Sequence, residues 1–271
     1  MPELPEVETT CRGIEKYLEG YCIVDVDIRN AKLRYPVDNN IKEILLGLTI
    51  RRVQRKGKYI LLVCEGGAVV IHLGMSGSLR LTSRQEAPGL HDHIDVHLDN
   101  TYCLRYRDPR RFGLFMWMDE PLQEHKLFSR MGVEPLSEQF DGAYLFAQSR
   151  SRSVAIKQLI MNNQVVLGVG NIYASESLFR AGIHPRRAAN RISGQRYQGL
   201  VSQIKDVLNE AIEAGGTSLR DFVGGDGNPG YFKFALRVYG REGASCLLCG
   251  HSIKSCRQGG RTTYYCSKCQ H

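Results

Sequence analysis

The chain has 271 residues, enough for two domains or one domain plus appendages, and 42% of them are hydrophobic, so a core can be buried. Its formal net charge is +8 and its pI about 9.0, a balance that favours an acidic partner, of which nucleic acid is the commonest. The opening MPELPEVETT has three Glu, no basic residue and no apolar core, which excludes a signal peptide, and the longest apolar candidate for a membrane span, Tyr59 to Met75, is broken by Glu65, Gly66-Gly67 and His72.

Pro5 can open a helix, with Glu6 and Glu8 in its first turn. Val7, Cys11, Ile14 and Leu18 then share one face. Alternation follows. Val24, Val26 and Ile28 alternate with Asp25, Asp27 and Arg29, and Tyr59–Cys64 and Ala68–Leu73 are apolar runs split by Gly66-Gly67. Ile94, Val96 and Leu98 alternate with Asp95, His97 and Asp99, and after a turn at Asp99-Asn100 Tyr102, Leu104 and Tyr106 alternate again. Short strands with hairpin signals predict an antiparallel sandwich or barrel.

Near residue 120 the pattern becomes helical. Helices are expected over 153–163 and 172–181, separated by Gly168-Val169-Gly170-Asn171. A third carries Leu200, Ile204, Leu208 and Ile212 until Gly215-Gly216 ends it. The stretch Gly224–Gly230 holds four Gly and a Pro and reads as a flexible loop. There is no internal repeat.

Of nine Cys, five fall in the last 26 residues, and four of these make two pairs: Cys246-x-x-Cys249, sixteen residues, then Cys266-x-x-Cys269. Without a secretion signal an odd total points to a reducing compartment and a metal, not to disulfides. This spacing is that of a four-cysteine zinc ribbon. Four protein ligands leave no open position, so one structural Zn2+ is expected. Cys256 is a spare thiol, not expected to be a ligand. Residues 241–271 carry five basic residues against Glu242, net +4, which suits a phosphate-binding finger. A solubilising surface would look the same.

Taken together, PELPEVET at the start, HLGMSGSLR (72–80), DPRRFG (108–113), GVGNIYASE (168–176) and the terminal ribbon resemble bacterial formamidopyrimidine-DNA glycosylase, in that family's order. The resemblance covers essentially the whole chain. It implies an α+β multidomain protein: an antiparallel β-sandwich with flanking helices as the catalytic domain (1–120), a linker (121–134), a helix–two-turns–helix DNA-binding domain (135–225) and a zinc ribbon (237–271). Damaged double-stranded DNA would lie in the cleft between the halves. A cytoplasmic, nucleoid-associated bacterial monomer without membrane attachment is expected.

The implied activity is excision of oxidised purines with strand cleavage, through a nucleophilic amine at Pro2 after Met1 is removed. An α-amino group has a reference pKa of about 7.7–8.0, against about 10.4 for lysine, so a chain terminus is the better poised amine. With Met1 attached, the Pro2 nitrogen is an amide and cannot attack. By the same resemblance Glu3 donates the proton in base loss and ring opening, and Glu6 orients the site or relays protons. Helix capping is the plain alternative for Glu6 and the preferred one for Glu8. Lys58 is tied to β-elimination, or else simply binds phosphate. Arg261 is tied to δ-elimination, though arginine is a poor proton donor and phosphate clamping suits it better.

The target base must be flipped out. In the family pattern Met75, Arg110 and Phe112 fill the gap. By residue type alone, Met75 and Phe112 would be core residues. His91, Arg110 and Arg152 match DNA contacts, with Arg152 replacing what is often Lys. Asn171 can bind phosphate at a helix N-terminus, or merely cap the helix. Lys157 is a further candidate beside the lesion phosphate. Asn162-Asn163-Gln164 departs from the family, where an acidic residue commonly precedes the GVGN turn. Two rivals are an endonuclease VIII-type glycosylase for oxidised pyrimidines and a non-enzymatic zinc-ribbon DNA-binding protein. The Met75/Arg110/Phe112 set and the loop around Gly224–Tyr231 favour the purine enzyme. PELPEVET argues against the pure binder.

Overall fold

The computed structural model describes residues 1–217 and 235–271. The chain forms two compact units, Met1–Ser129 with Ile212–Lys233, and Arg130–Ala211 with Phe234–His271. The 224–231 loop expected from the sequence lies outside the described residues.

In the first unit, helix α1 (Leu4–Leu18) starts at N-cap Glu3 with a proline in its first turn, and buries Val7, Cys11, Ile14 and Leu18. Two antiparallel four-stranded sheets follow. One has the order β1 (Ile23–Ile28), β6 (Asp92–Leu98), β7 (Tyr102–Arg107), β5 (Ser78–Ser83). The other runs β2 (Arg52–Lys56), β3 (Tyr59–Cys64), β4 (Gly67–His72), β8 (Leu114–Met118). The short helix α2 (Ile41–Leu45) packs beside them. Val26, Ile94 and Leu104 of one sheet share a core with Ile60, Val69, Ile71 and Phe115 of the other, which makes a sandwich. Each such side chain contributes about 1.5–3 kcal/mol by leaving water.

The turns follow from their residues. Gly66, at φ 76°, closes the β3–β4 hairpin, where Cys64 pairs with Gly67. Asn100 Oδ1 accepts the N–H of Tyr102 at 2.8 Å and closes β6–β7.

Two expectations need correction. Val24 faces solvent, because a bulge between Ile23 and Asp25 shifts the register of β1 and breaks the alternation. Arg105 of β7 is 1% exposed, opposite the apolar face, where its guanidinium grips Asp95 at 2.9 and 2.7 Å.

The second unit holds α3 (Gly142–Ser149), α4 (Ile156–Ile160), α5 (Asn171–Arg180), most of α6 (Gly194–Glu213) and the hairpin β9 (Lys254–Gln258)–β10 (Arg261–Tyr265). The helix expected over 153–163 is only five residues long. Residues 152–155 are instead held by a facing segment, through an antiparallel bridge of Ala155 with Ala188 and the bond of Asn190 N–H to Arg152 O at 3.2 Å. Helix α5 buries every residue from Ile172 to Phe179. After α6, Gly215 and Gly216 adopt φ of 76° and 83°, as its predicted end requires. Among the described residues no helix is long and apolar enough to cross a membrane.

Candidate functional site

In the first unit Pro2 is buried, Glu3 and Glu6 are each 2% exposed, and Met1 is 45% exposed. Glu6, the third helical residue, reaches back so that Oε2 accepts the N–H of Glu3 at 2.8 Å. Its Oε1 accepts the N–H of Thr217, also at 2.8 Å. A Cβ on Gly216 would stand 3.3 Å from that oxygen, and φ there is 83°, so glycine suits the position. Glu8 has a different task from the capping expected of it. It bonds Arg55 at 2.8 Å and Arg12 at 2.9 Å. Burial pushes its carboxyl up, but the two guanidiniums outweigh burial and leave it below the usual range. Lys58 follows Gly57, whose φ is 58°, in the β2–β3 turn. Burial, helped by the charges of Lys58 and Arg34, pushes His72 down to about 4. The neutral Nδ1 of His72 accepts the N–H of Gly74 at 3.0 Å.

Met75 and Phe112 are 42% and 44% exposed, so neither is a core residue. They sit on two loops that touch backbone to backbone: a Cβ on Gly74 would lie 2.6 Å from the nitrogen of Gly113. Arg110 stacks on Phe112 at 4.8 Å. The hub is Asp108, fully buried, which the sequence did not single out. Its Oδ1 accepts from the Ser76 hydroxyl at 3.0 Å, and its Oδ2 from the N–H of Gly113 at 2.8 Å and the Tyr106 hydroxyl at 3.2 Å. Its own N–H donates to the His91 carbonyl at 3.0 Å. The carboxylate thus fixes the Met75 loop and the Arg110–Phe112 loop, and the backbone N–H of the same residue holds the segment leading into β6. Arg111, at φ 56°, is the only non-glycine with positive φ among the described residues. The Asp-Pro pair opening DPRRFG is the available signal, since both residues favour turns.

In the second unit, Lys157 is 2% exposed. Its Nζ donates to Asn171 Oδ1 at 2.6 Å and to Thr263 Oγ1 at 2.9 Å. Asn171 lies inside the helix, after N-cap Gly170, and its amide donates to the Thr262 carbonyl at 2.9 Å. Capping therefore does not explain it. Arg261 is exposed, just after Gly259-Gly260 at φ 55° and 74°, and lines a cavity of about 300 Å³ with Lys157, Gln158, Met161, Gln258 and Gly259. Lys157, Asn171 and Arg261 are thereby assembled on one face. Arg152 stands apart, on the segment paired with 184–190.

The sulfurs of Cys246, Cys249, Cys266 and Cys269 all lie within 4.8 Å of one another, a cluster that can hold one metal ion. Cys256 is on β9, outside it. A second trio, Asp95, His97 and Cys103, is preoccupied: Asp95 binds Arg105 and Arg29, and His97 binds Asp27.

Residues 1–115 match the family described as "Formamidopyrimidine-DNA glycosylase N-terminal domain", and 131–223 match "Formamidopyrimidine-DNA glycosylase H2TH domain". Proteins named formamidopyrimidine-DNA glycosylase from Methylococcus capsulatus and Stutzerimonas stutzeri are 52% and 53% identical over 270 residues, covering 100% of each chain. Among solved structures, the MutM (Fpg) protein of Thermus thermophilus superposes with a TM-score of 0.89 at 36% identity, covering 99% of this chain and 98% of that one. A Lactococcus lactis Fpg mutant, in complex with a Fapy-dG containing DNA, gives 0.93 at 31% identity and covers 99% of both chains.

Proposed function

The chain belongs to the formamidopyrimidine-DNA glycosylase family, and on that footing we propose that it excises oxidised purines, 8-oxoguanine and formamidopyrimidines, from duplex DNA and then cleaves the strand. The observation that carries this reading is the N-terminus itself: a buried Pro2 beside two buried carboxylates, preceded by an exposed Met1.

With Met1 removed, the secondary amine of Pro2 attacks C1′ and the bond from C1′ to the base breaks. Glu3 protonates the departing base, takes up the proton that the Pro2 nitrogen loses on attack, and passes it to the ring oxygen as the sugar opens, which leaves an iminium between Pro2 and C1′. Glu6 holds the N–H of Glu3 and so orients the pair. Loss of a C2′ proton then expels the 3′ phosphate, with Lys58 serving β-elimination. A second elimination expels the 5′ phosphate, where Arg261 grips the departing group. Met75, Arg110 and Phe112 enter the space left by the flipped base, Arg110 bonding the orphaned partner. His91, Arg152, Lys157 and Asn171 hold phosphates. One zinc ion on Cys246, Cys249, Cys266 and Cys269 would be structural: it fixes the ribbon that carries Arg261 and takes no part in the chemistry. The segments 1–120, 135–225 and 237–271 divide these tasks into catalysis, DNA grip and phosphate finger, with 121–134 as linker. Bacterial cytoplasm is the compartment that suits reduced cysteines and a DNA substrate.

The test is borohydride trapping on a duplex with 8-oxoguanine opposite cytosine, beside one with an oxidised pyrimidine. An adduct on the oxoguanine strand, lost in Pro2→Gly, supports the reading. An adduct confined to the pyrimidine lesion assigns the endonuclease VIII-type activity. No adduct on either, with Met1 confirmed absent, leaves a DNA-binding protein.

A further inference from the structure

The positive charge of this chain is concentrated in one unit. Arg130–Ala211 with Phe234–His271 holds 16 Lys and Arg against 7 Asp and Glu, net +9; the whole chain is +8, which leaves the other unit at −1. Within the basic unit no Asp or Glu occurs from 142 to 175 or from 177 to 205.

The fold lays two parts of these stretches side by side. Ile156 N–H donates to Arg187 O at 2.8 Å, Ala189 N–H to Val154 O at 2.9 Å and Asn190 N–H to Arg152 O at 3.2 Å, around the Ala155–Ala188 bridge. Arg150 staples the pair from the side, donating to the carbonyls of Asn190 at 2.8 Å and Ile192 at 2.9 Å. Ile156, Ala189 and Ile192 anchor it in the core, while Arg186, Arg187 and Arg191 are exposed. Carboxylates of this unit are committed elsewhere: Glu210 to Arg180, Glu176 to the N–H groups of 237–239, Asp141 to the N–H of Tyr144. Among the described residues, Arg152, Arg186, Arg187 and Arg191 take part in no ion pair. The strip abuts the candidate phosphate site, since Gln258 Nε2 donates to the Pro185 carbonyl at 3.2 Å and Lys157 N–H to the same carbonyl at 3.3 Å.

Uncompensated guanidiniums on a pinned, two-segment backbone raise the local anion concentration and cost stability through mutual repulsion, unless an anion satisfies them. A polyanion with regularly spaced charges on a backbone fits such a strip, and the site it continues is one for DNA phosphates. We infer that Arg186, Arg187 and Arg191 continue from Arg152 as a backbone-binding track, which grips duplex DNA flanking the lesion. This rests on the glycosylase reading for Lys157, Asn171 and Arg261, and extends it to sequence-independent contacts on undamaged DNA.

The track is tested with full-length Arg186→Ala/Arg187→Ala protein on an undamaged duplex, titrated between about 50 and 200 mM salt. Two lost phosphate contacts make the slope of log K against log salt shallower by about 1.8. The Arg186→Lys/Arg187→Lys protein keeps the wild-type slope, and borohydride trapping at saturating enzyme on the oxoguanine duplex stays at the wild-type level in both. An unchanged slope in the alanine protein overturns the track. Loss of trapping in the alanine protein alone also overturns it, by placing these residues in the catalytic site. No adduct with the wild-type protein, together with the shallower slope in the alanine protein, would defeat the glycosylase reading and leave the track standing.

Discussion

Glu6 and Thr217 are joined by a 2.8 Å bond from the Thr217 N–H to Glu6 Oε1, across 211 residues of sequence. The other oxygen of the same carboxylate holds the N–H of Glu3. The end of the segment after α6 is thus registered against the start of α1, where the proposed nucleophile lies. Glu6→Gln keeps the shape but turns an amide nitrogen toward one of two backbone donors. It should cost about 1–3 kcal/mol of stability, and slow borohydride trapping by about tenfold or more, a barrier change of about 1.4 kcal/mol. Thermal melting and a trapping time course check both. A variant as stable and as fast as wild type would mean that this carboxylate organises nothing.

His72 gives the chain an acid-sensitive point. Its Nδ1 must be unprotonated to accept from Gly74, the residue before Met75, and burial with the charges of Lys58 and Arg34 holds it down to about 4. In the unfolded chain histidine titrates at about 6.5. Between those values the unfolded state binds more protons, so stability is full above about 6.5 and falls progressively toward 4, by up to about 3 kcal/mol. In His72→Gln the amide oxygen still accepts from Gly74 and does not titrate. Urea midpoints measured from pH 4 to 7 should therefore fall less steeply in the variant. Parallel curves would refute the assignment.

The cysteine cluster predicts a joint loss. Cys249→Ser removes one of four sulfurs that lie within 4.8 Å of one another. Thr262 and Thr263 of the adjoining hairpin receive Asn171 and Lys157. Loss of the metal should therefore lower DNA affinity as well, by about tenfold or more, about 1.4 kcal/mol. Elemental analysis with a binding titration checks it. Normal zinc content with normal affinity would rule out the structural role.

What the sequence disclosed was local. The apolar face of α1, the β6–β7 turn at Asn100 and the cysteine pairs each depend on residues a few positions apart, and each was legible. The hub at Asp108 was not: the Asp-Pro pair signals a turn there, but the role joins Ser76, His91 and Gly113, and no linear pattern says that this carboxylate will be fully buried. The helix expected over 153–163 failed for the same reason: its first turn is claimed by residues 187–190, and tertiary pairing overrides local periodicity. Met75 and Phe112 read as core by residue type and proved exposed; only the family motif placed them at a surface. The uneven charge was present in the sequence, but became visible only once the two units were known.

Lys157 separates a structural pin from a phosphate ligand. Its ammonium is 2% exposed and bonds the neutral Asn171 and Thr263, an arrangement that either stores a charge for an incoming phosphate or only ties α4 to α5 and β10. Lys157→Met keeps the length of the side chain and removes both charge and donors. A pin alone predicts a lower melting temperature with the salt dependence of DNA binding unchanged. A phosphate ligand predicts, in addition, a loss of about 1.5–3 kcal/mol in binding the lesion duplex and a salt slope shallower by about 0.9. The second result is expected, because Arg261 lines the same cavity. A change in melting temperature without a change in slope would reduce Lys157 to scaffolding and leave Arg261 as the principal cation of that face.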